Sequence, residues 1–201
     1  MRVVDPTTGR SFFSKRRRRF DGDLAPRELT FSCYKRHPFL NRDRTRTWFV
    51  EALQESRKEW PVDLWAWVIM PEHVHLLFVP REACVSIGNF QGAIKEQVAR
   101  QAIQWLEQNA PEWIPRITVQ EGSRMRRRFW QPGGGYDRNI NSLETLLHMI
   151  EYIHLNPVRR GLVERAIDWK WSSARWYAGI GPRLIEMDRT VPTIYSQGGT
   201  P

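Results

Sequence analysis

An α+β fold, with an antiparallel sheet in the ferredoxin-like βαββαβ order and helices on its faces, is predicted by three observations. Strand-like and helix-like patterns follow one another as strand, helix, strand, strand, helix, strand, and then a further helix. The run at 62–70 (VDLWAWVIM) turns at Pro71 and Glu72 into 73–79 (HVHLLFV), which reads as a hairpin. Beyond its two histidines, 73–79 is apolar on both faces, the mark of a central strand.

Each element has its own signal. Residues 28–35 (ELTFSCYK) alternate, with Leu29, Phe31 and Cys33 on one side. Residues 44–59 carry Trp48, Phe49, Ala52 and Leu53 at helical spacing. A long helix is predicted over 85–108 from Ile87, Phe90, Ile94, Val98, Ala102, Trp105 and Leu106, interrupted afterwards by Pro111 and Pro115. The fourth strand is expected near 128–131 (RFWQ). Residues 142–156 (SLETLLHMIEYIHLN) follow as a helix, with Ser142 as its cap and Glu144 in its first turn. Asn156 precedes Pro157, and an X-Pro step ends a helix. These bounds give three parts: a basic, flexible arm over 1–27, a catalytic domain over 28–178, and a Gly- and Pro-spaced tail over 179–201.

The chain has 201 residues, enough for one domain with a substantial core. No apolar run is long enough to cross a membrane, and the first twenty residues lack a signal-peptide core, so the expected location is cytoplasmic. Two isolated cysteines, Cys33 and Cys84, exclude a cysteine-based zinc site. The formal charge is +9, carried largely by arginine, and there are 10 tryptophans. Guanidinium groups grip phosphate, and indoles offer faces to unpaired bases, so composition points to a nucleic-acid partner or, equally, to a basic surface with tryptophans in the core. Candidate phosphate contacts are Arg16, Arg17, Arg18 and Arg19, Arg124, Arg126, Arg127 and Arg128, and Arg159 with Arg160. Trp171 is a candidate for base stacking, with core packing as its alternative.

Only five histidines occur, and two of them sit one residue apart at His73 and His75. On a strand they point to the same face, roughly 6.5–7 Å apart, and can converge on one ion. They can equally be half-buried residues bonded to backbone. On the helix at 142–156, Tyr152 and Asn156 share a face, with His148 one turn before. The Asn156 amide oxygen is a hard ligand suited to Mg²⁺ or Mn²⁺. Tyr152 is a nucleophile candidate, or else a core aromatic.

The blocks WVIMPEHVHLL, RFWQPGGGYDRNI, EYIHLNPVRRGLV and DWKWSSARWY, in this order and spacing, resemble the REP-associated tyrosine transposases of the single-tyrosine HUH endonuclease superfamily. The resemblance implies the HUH endonuclease fold and a strand-transferase acting on single-stranded hairpin DNA through a 5′-phosphotyrosine intermediate. It implies a divalent metal, Mg²⁺ or Mn²⁺, on His73, His75 and Asn156, with Tyr152 as nucleophile. Glu72 stands where the family often has asparagine and adds a carboxylate beside the ion. His148 is a candidate base for the phenol proton, a further ligand, or a structural residue. The run Gly133–Gly135 is expected to loosen its loop. Two alternatives stand beside this reading: a catalytically inactive nucleic-acid-binding module of the same fold, and a metal nuclease using activated water. The protein is expected to work as a monomer or a homodimer, away from membranes.

Overall fold

The computed structural model describes residues 2–4, 11–13 and 24–192. Its centre is a four-stranded antiparallel sheet of β3 (Arg27–Ser32), β4 (Val62–Ile69), β5 (His73–Pro80) and β8 (Tyr136–Asn139), in the order β4-β5-β3-β8. With helix α1 (Asp43–Glu59) after β3 and α2 (Ile87–Asn109) after β5, this is the expected βαββαβ arrangement. A short hairpin, β6 (Thr118–Glu121) and β7 (Arg124–Arg127), is inserted after the small helix α3 (Ile114–Ile117). Two further strands, β1 (Arg2–Val4) and β2 (Ser11–Phe13), pair inside the stretch expected to be an arm.

The two faces of the sheet serve different purposes. Phe31, Trp67, Val74, Leu76 and Phe78 point toward α1 and α2 and build the larger core. Trp65, Val68 and Leu77 point the other way, against Leu146, Ile150 and Ile153 of α4 (Leu143–Arg159). Because β5 alternates, His73 and His75 share the face of Leu77 and therefore look at α4. A bulge in β4 between Leu64 and Ala66 puts both Trp65 and Ala66 on the α4 side. One core thus anchors the sheet, and the other seats the helix that carries Tyr152.

Three expectations are corrected. The fourth strand is Tyr136–Asn139 rather than 128–131. In that segment Phe129 and Trp130 are buried core residues, and only a single bridge, Cys33 with Trp130, pairs there. Helix α4 does not stop at Asn156 but runs through Pro157 to Arg159. Its end is set by Gly161, at φ 64°, where the amides of Gly161 and Leu162 bond the carbonyls of Val158 and Pro157. The last correction concerns the stretch after 178. Ile185 and Met187 sit in the core, and Asp188 bonds Arg57 at 2.5 Å and Arg81 at 2.9 Å. That segment is a strap across α1 and β4, so the folded unit extends past the expected boundary.

A buried histidine on α4 makes the stability of the fold depend on pH. His154 Nε2 lies 2.8 Å from Ser173 Oγ, and burial holds this imidazole down to about 4. Burial also depresses His73 to about 4, aided by the neighbouring His75. Both groups bind protons more readily when unfolded, where histidine titrates near 6.5. Their contribution is therefore complete above about 6.5 and is lost as pH falls toward 4. Urea unfolding should show a midpoint that is level near neutrality and drops between these pH values. Replacing His154 with glutamine should shrink that drop.

Candidate active site

The face shared by β5 and α4 opens into a cleft of about 490 Å³. Its floor is β5 and β3. His73 and His75 stand with ring centroids 5.0 Å apart and planes at 79°. Their cross-strand partners on β3 are Ser32 and Thr30, which also line the cleft. From α4 come Tyr152, Asn156 and Arg159, with Arg160 just beyond. The tyrosine ring is 5.7 Å from that of His75, edge to face. At 38 % exposure Tyr152 stands partly in solvent rather than in the core, so the core-aromatic alternative does not hold.

Buried carboxylates lie behind both histidines, and His75 is also held by a hydrogen bond. Thr30 Oγ1 is 2.8 Å from His75 Nδ1, and Glu28 Oε1 is 3.4 Å from both of these atoms. This chain of hydroxyl and buried carboxylate fixes the ring and leaves Nε2 for the cleft. His73 Nδ1 lies 3.2 Å from the buried Glu72 carboxylate. Burial keeps His73 neutral at pH 7, the form that ligates a metal. Asn156 gives its amide N–H to the Tyr152 carbonyl at 3.2 Å, which leaves its amide oxygen as the free acceptor.

Positive charge rings the cleft. Arg159 lies over the Tyr152 ring at 4.9 Å. Arg160 pairs with Glu72 at 3.0 Å, tying the end of α4 to the start of β5. Arg36 reaches the cleft from a turn in which Lys35 and Arg36 have φ of 50° and 54°. Left-handed backbone at two successive non-glycine residues is strained, and such strain gathers at functional sites. The turn is held by the Lys35 amide on the Gln131 side chain at 3.2 Å and the Arg36 amide on Cys33 O at 3.0 Å.

The structure thus brings His73, His75, Tyr152, Asn156, Arg159 and Arg160 together. Glu72 sits behind His73, engaged with Arg160, and does not line the cleft. His148 is exposed on α4 and does not reach the cleft either. Arg124, Arg126 and Arg127 form the exposed rim of the β6–β7 hairpin and half-buried Arg128 follows it, with Arg126, Arg127 and Arg128 paired to Glu121 or Glu107. Arg16, Arg17, Arg18 and Arg19 lie outside the described residues. Trp171 is corrected: it is 5 % exposed in the core, its indole N–H donating to Asp43 at 3.1 Å, so its faces are closed to bases. The glycine run is also firmer than expected. Gln91 bonds Gly134 O at 2.9 Å, and Lys95 bonds Gly133 O at 2.9 Å. Glu28 and Thr30 are absent from the sequence reading. They are ordinary residues of an alternating strand, and only their register opposite His75 reveals them.

The sheet order and the cleft define a class: a βαββαβ scaffold with two histidines on a central strand facing a helix-borne tyrosine. A solved REP-associated tyrosine transposase bound to a REP hairpin shares the fold, with a TM-score of 0.63, 21% identity, and coverage of 91% of this chain and 96% of that one. A Haemophilus influenzae protein described as a REP-associated tyrosine transposase is 28% identical over 139 residues, 66% of this chain and 74% of that protein. The REP-associated tyrosine transposase of Escherichia coli is 23% identical over 122 residues, 61% of this chain and 60% of that protein. The family model for IS200-like transposases matches residues 27–156, and the chain belongs to that family. The matched span runs from β3 through Asn156 and so contains both histidines and Tyr152.

Proposed function

We propose that this chain is a tyrosine transposase that cuts and rejoins single-stranded DNA beside a hairpin, with Tyr152 as the nucleophile and a divalent ion held by His73, His75 and Asn156. The observation that carries the reading is the Tyr152 ring 5.7 Å from His75, in one cleft with His73 and Asn156.

The donor set of two imidazoles and one amide oxygen would suit a hard or borderline divalent ion, Mg²⁺ or Mn²⁺. Among the described residues no three His, Cys, Asp or Glu cluster as ligands. When bound, the ion polarises the phosphate and lowers the cost of its charge.

The side chains do the rest. Tyr152 Oη attacks phosphorus, the bond from phosphorus to the 3′-oxygen breaks in line, and the proton lost by the phenol is made up, through solvent, on the departing 3′-oxygen. The 5′-phosphate stays on tyrosine, and the other strand end leaves as a 3′-hydroxyl. Attack by another 3′-hydroxyl reverses the step, joins DNA and frees the phenol, so no nucleotide cofactor is consumed. Arg36, Arg159 and Arg160 line the path of the phosphate. The exposed hairpin β6–β7 supplies further backbone contacts. No described helix is long and apolar enough to cross a membrane.

The test is incubation of an end-labelled hairpin with the protein and Mn²⁺, followed by denaturing electrophoresis. A covalent protein–DNA band that disappears with chelator supports the reading. Cleavage that leaves only free 5′-phosphate would favour the water-using nuclease, and tight binding without cleavage the inactive module. The bracing of His75 gives a second expectation. Thr30→Val removes the hydroxyl partner of Nδ1, so half-maximal adduct formation should need on the order of 10-fold more Mn²⁺. Adduct yield at saturating metal should stay near that of the parent protein.

A further inference from the structure

A second opening lies three residues along the chain from the active cleft. Arg36 lines the cleft, and Phe39 lines a separate cavity of about 340 Å³ between α1 and α2. The chain between them reaches at most about 11 Å. This connection is fixed at its far end by the Leu40 amide on Pro71 O at 2.9 Å, next to the Glu72–His73 step.

The lining is unusual for an ordinary crevice. Trp48 of α1, Trp105 of α2 and Trp113 of the turn after α2 all border it, and all three are half-buried. Trp65, Trp67, Trp130 and Trp171, by contrast, are closed into the cores. The Arg44 guanidinium lies 3.6 Å from the centre of the Trp105 ring. Phe39 is stacked on Phe129 at 5.1 Å, and its exposed side meets Trp113 edge-on. Arg42 and Arg44 line the cavity, no carboxylate does, and among the described residues neither arginine has an acidic partner. An aromatic, positively edged cavity matches a heterocyclic base whose phosphate stays at the rim. An apolar peptide would fill the same volume but leave the two guanidinium groups unanswered.

We propose that this cavity takes one unstacked base of the single-stranded DNA flanking the scissile phosphate, held between the Trp105–Arg44 pair and the Trp48 and Trp113 rings. The proposal rests on the strand-transfer reading for its substrate and adds what fixes the strand on its way to Tyr152. The strand leaves the cleft past Arg36, rounds the end of the sheet along 36–39, and lodges one base between the helices. Phosphate contacts at the cleft bind any sequence, whereas a base pocket sets the register of the cut.

The test uses a labelled hairpin with single-stranded arms, so that the stem fixes the register. One abasic site is walked along the arms, and equilibrium binding to Tyr152→Phe protein is followed by anisotropy. At one arm position the abasic site should weaken binding about 10-fold, within the range for a single stacked base. Trp105→Ala should weaken binding of the intact DNA by a similar factor and make that abasic site silent. Arg44→Gln, on an exposed side chain, should reduce the same penalty, and it covers the case in which Trp105→Ala fails to fold. Abasic penalties that persist in full in both variants would overturn the proposal, as would an arm on which no position matters. Because binding is read without cleavage, failure of the Tyr152 adduct and failure of this pocket are separate results.

Discussion

Tyr152→Phe protein should form no covalent adduct with hairpin DNA, a loss of at least on the order of 10³-fold in cleavage rate. The substitution removes one oxygen and nothing else. The ring remains edge-on to His75 and under Arg159, so α4 keeps its seat. The side chain is partly exposed and no described residue bonds its hydroxyl, so stability should change by less than about 0.5 kcal/mol. Hairpin affinity should stay within a few-fold, because the cleft arginines are untouched. A parallel loss of binding would mean that the hydroxyl holds DNA rather than attacks it.

Gly135→Ala should be strongly destabilising. An added Cβ would lie 2.1 Å from the Thr30 carbonyl oxygen and 2.9 Å from Phe31 Cβ, both on β3. The residue also has φ of +67°, which costs alanine about 1 kcal/mol. Relief requires β8 and β3 to part where Thr30 pairs with Tyr136. Together these should lower stability by about 3 kcal/mol, read as a drop in the urea midpoint. The same movement displaces Thr30 from His75, so the metal needed for adduct formation should rise. Gly133→Ala is the control. Its φ of +89° is equally unfavourable, but open space surrounds its Cβ, so stability alone should fall, by about 1 kcal/mol. Equal behaviour of the two variants would deny Gly135 its role as the spacer behind the histidine strand.

How far the sequence carried the fold depended on where apolar residues lie. Strand β5 is buried on both sides, and its His-Val-His pattern shows the site face directly. Helix α4 buries Leu146, Ile150 and Ile153 at helical spacing, which also fixes the side on which Tyr152 emerges. The fourth strand escaped because Tyr136–Asn139 is a polar, half-exposed edge with no burial to pattern it. Phe129 and Trp130 offered a stronger apolar signal, but they fill the core from an irregular segment. Trp171 looked available for stacking because sequence does not reveal which of ten indoles the sheet will cover. The strap at 184–191 was hidden by its Gly and Pro spacing, since its anchors are long-range: Asp188 with Arg57 and Arg81, and the Trp65 N–H on Thr190. Glu28, 47 residues from His75 in sequence, reaches it only through strand register.

Glu72 illustrates the same limit. From the sequence it is an extra carboxylate beside the ion. In the fold its charge is answered by Arg160 at 3.0 Å, and it stands behind His73 as a brace between β5 and α4.

The most direct measurement is peptide mapping of the covalent adduct. After digestion of the DNA to a short stub, trypsin should release the peptide 139–159, in which Tyr152 is the only tyrosine. That peptide should carry a nucleotide mass, with fragmentation placing the phosphate on Tyr152. A nucleotide on any other residue, or hairpin cleavage with unmodified Tyr152 throughout the reaction, would contradict it.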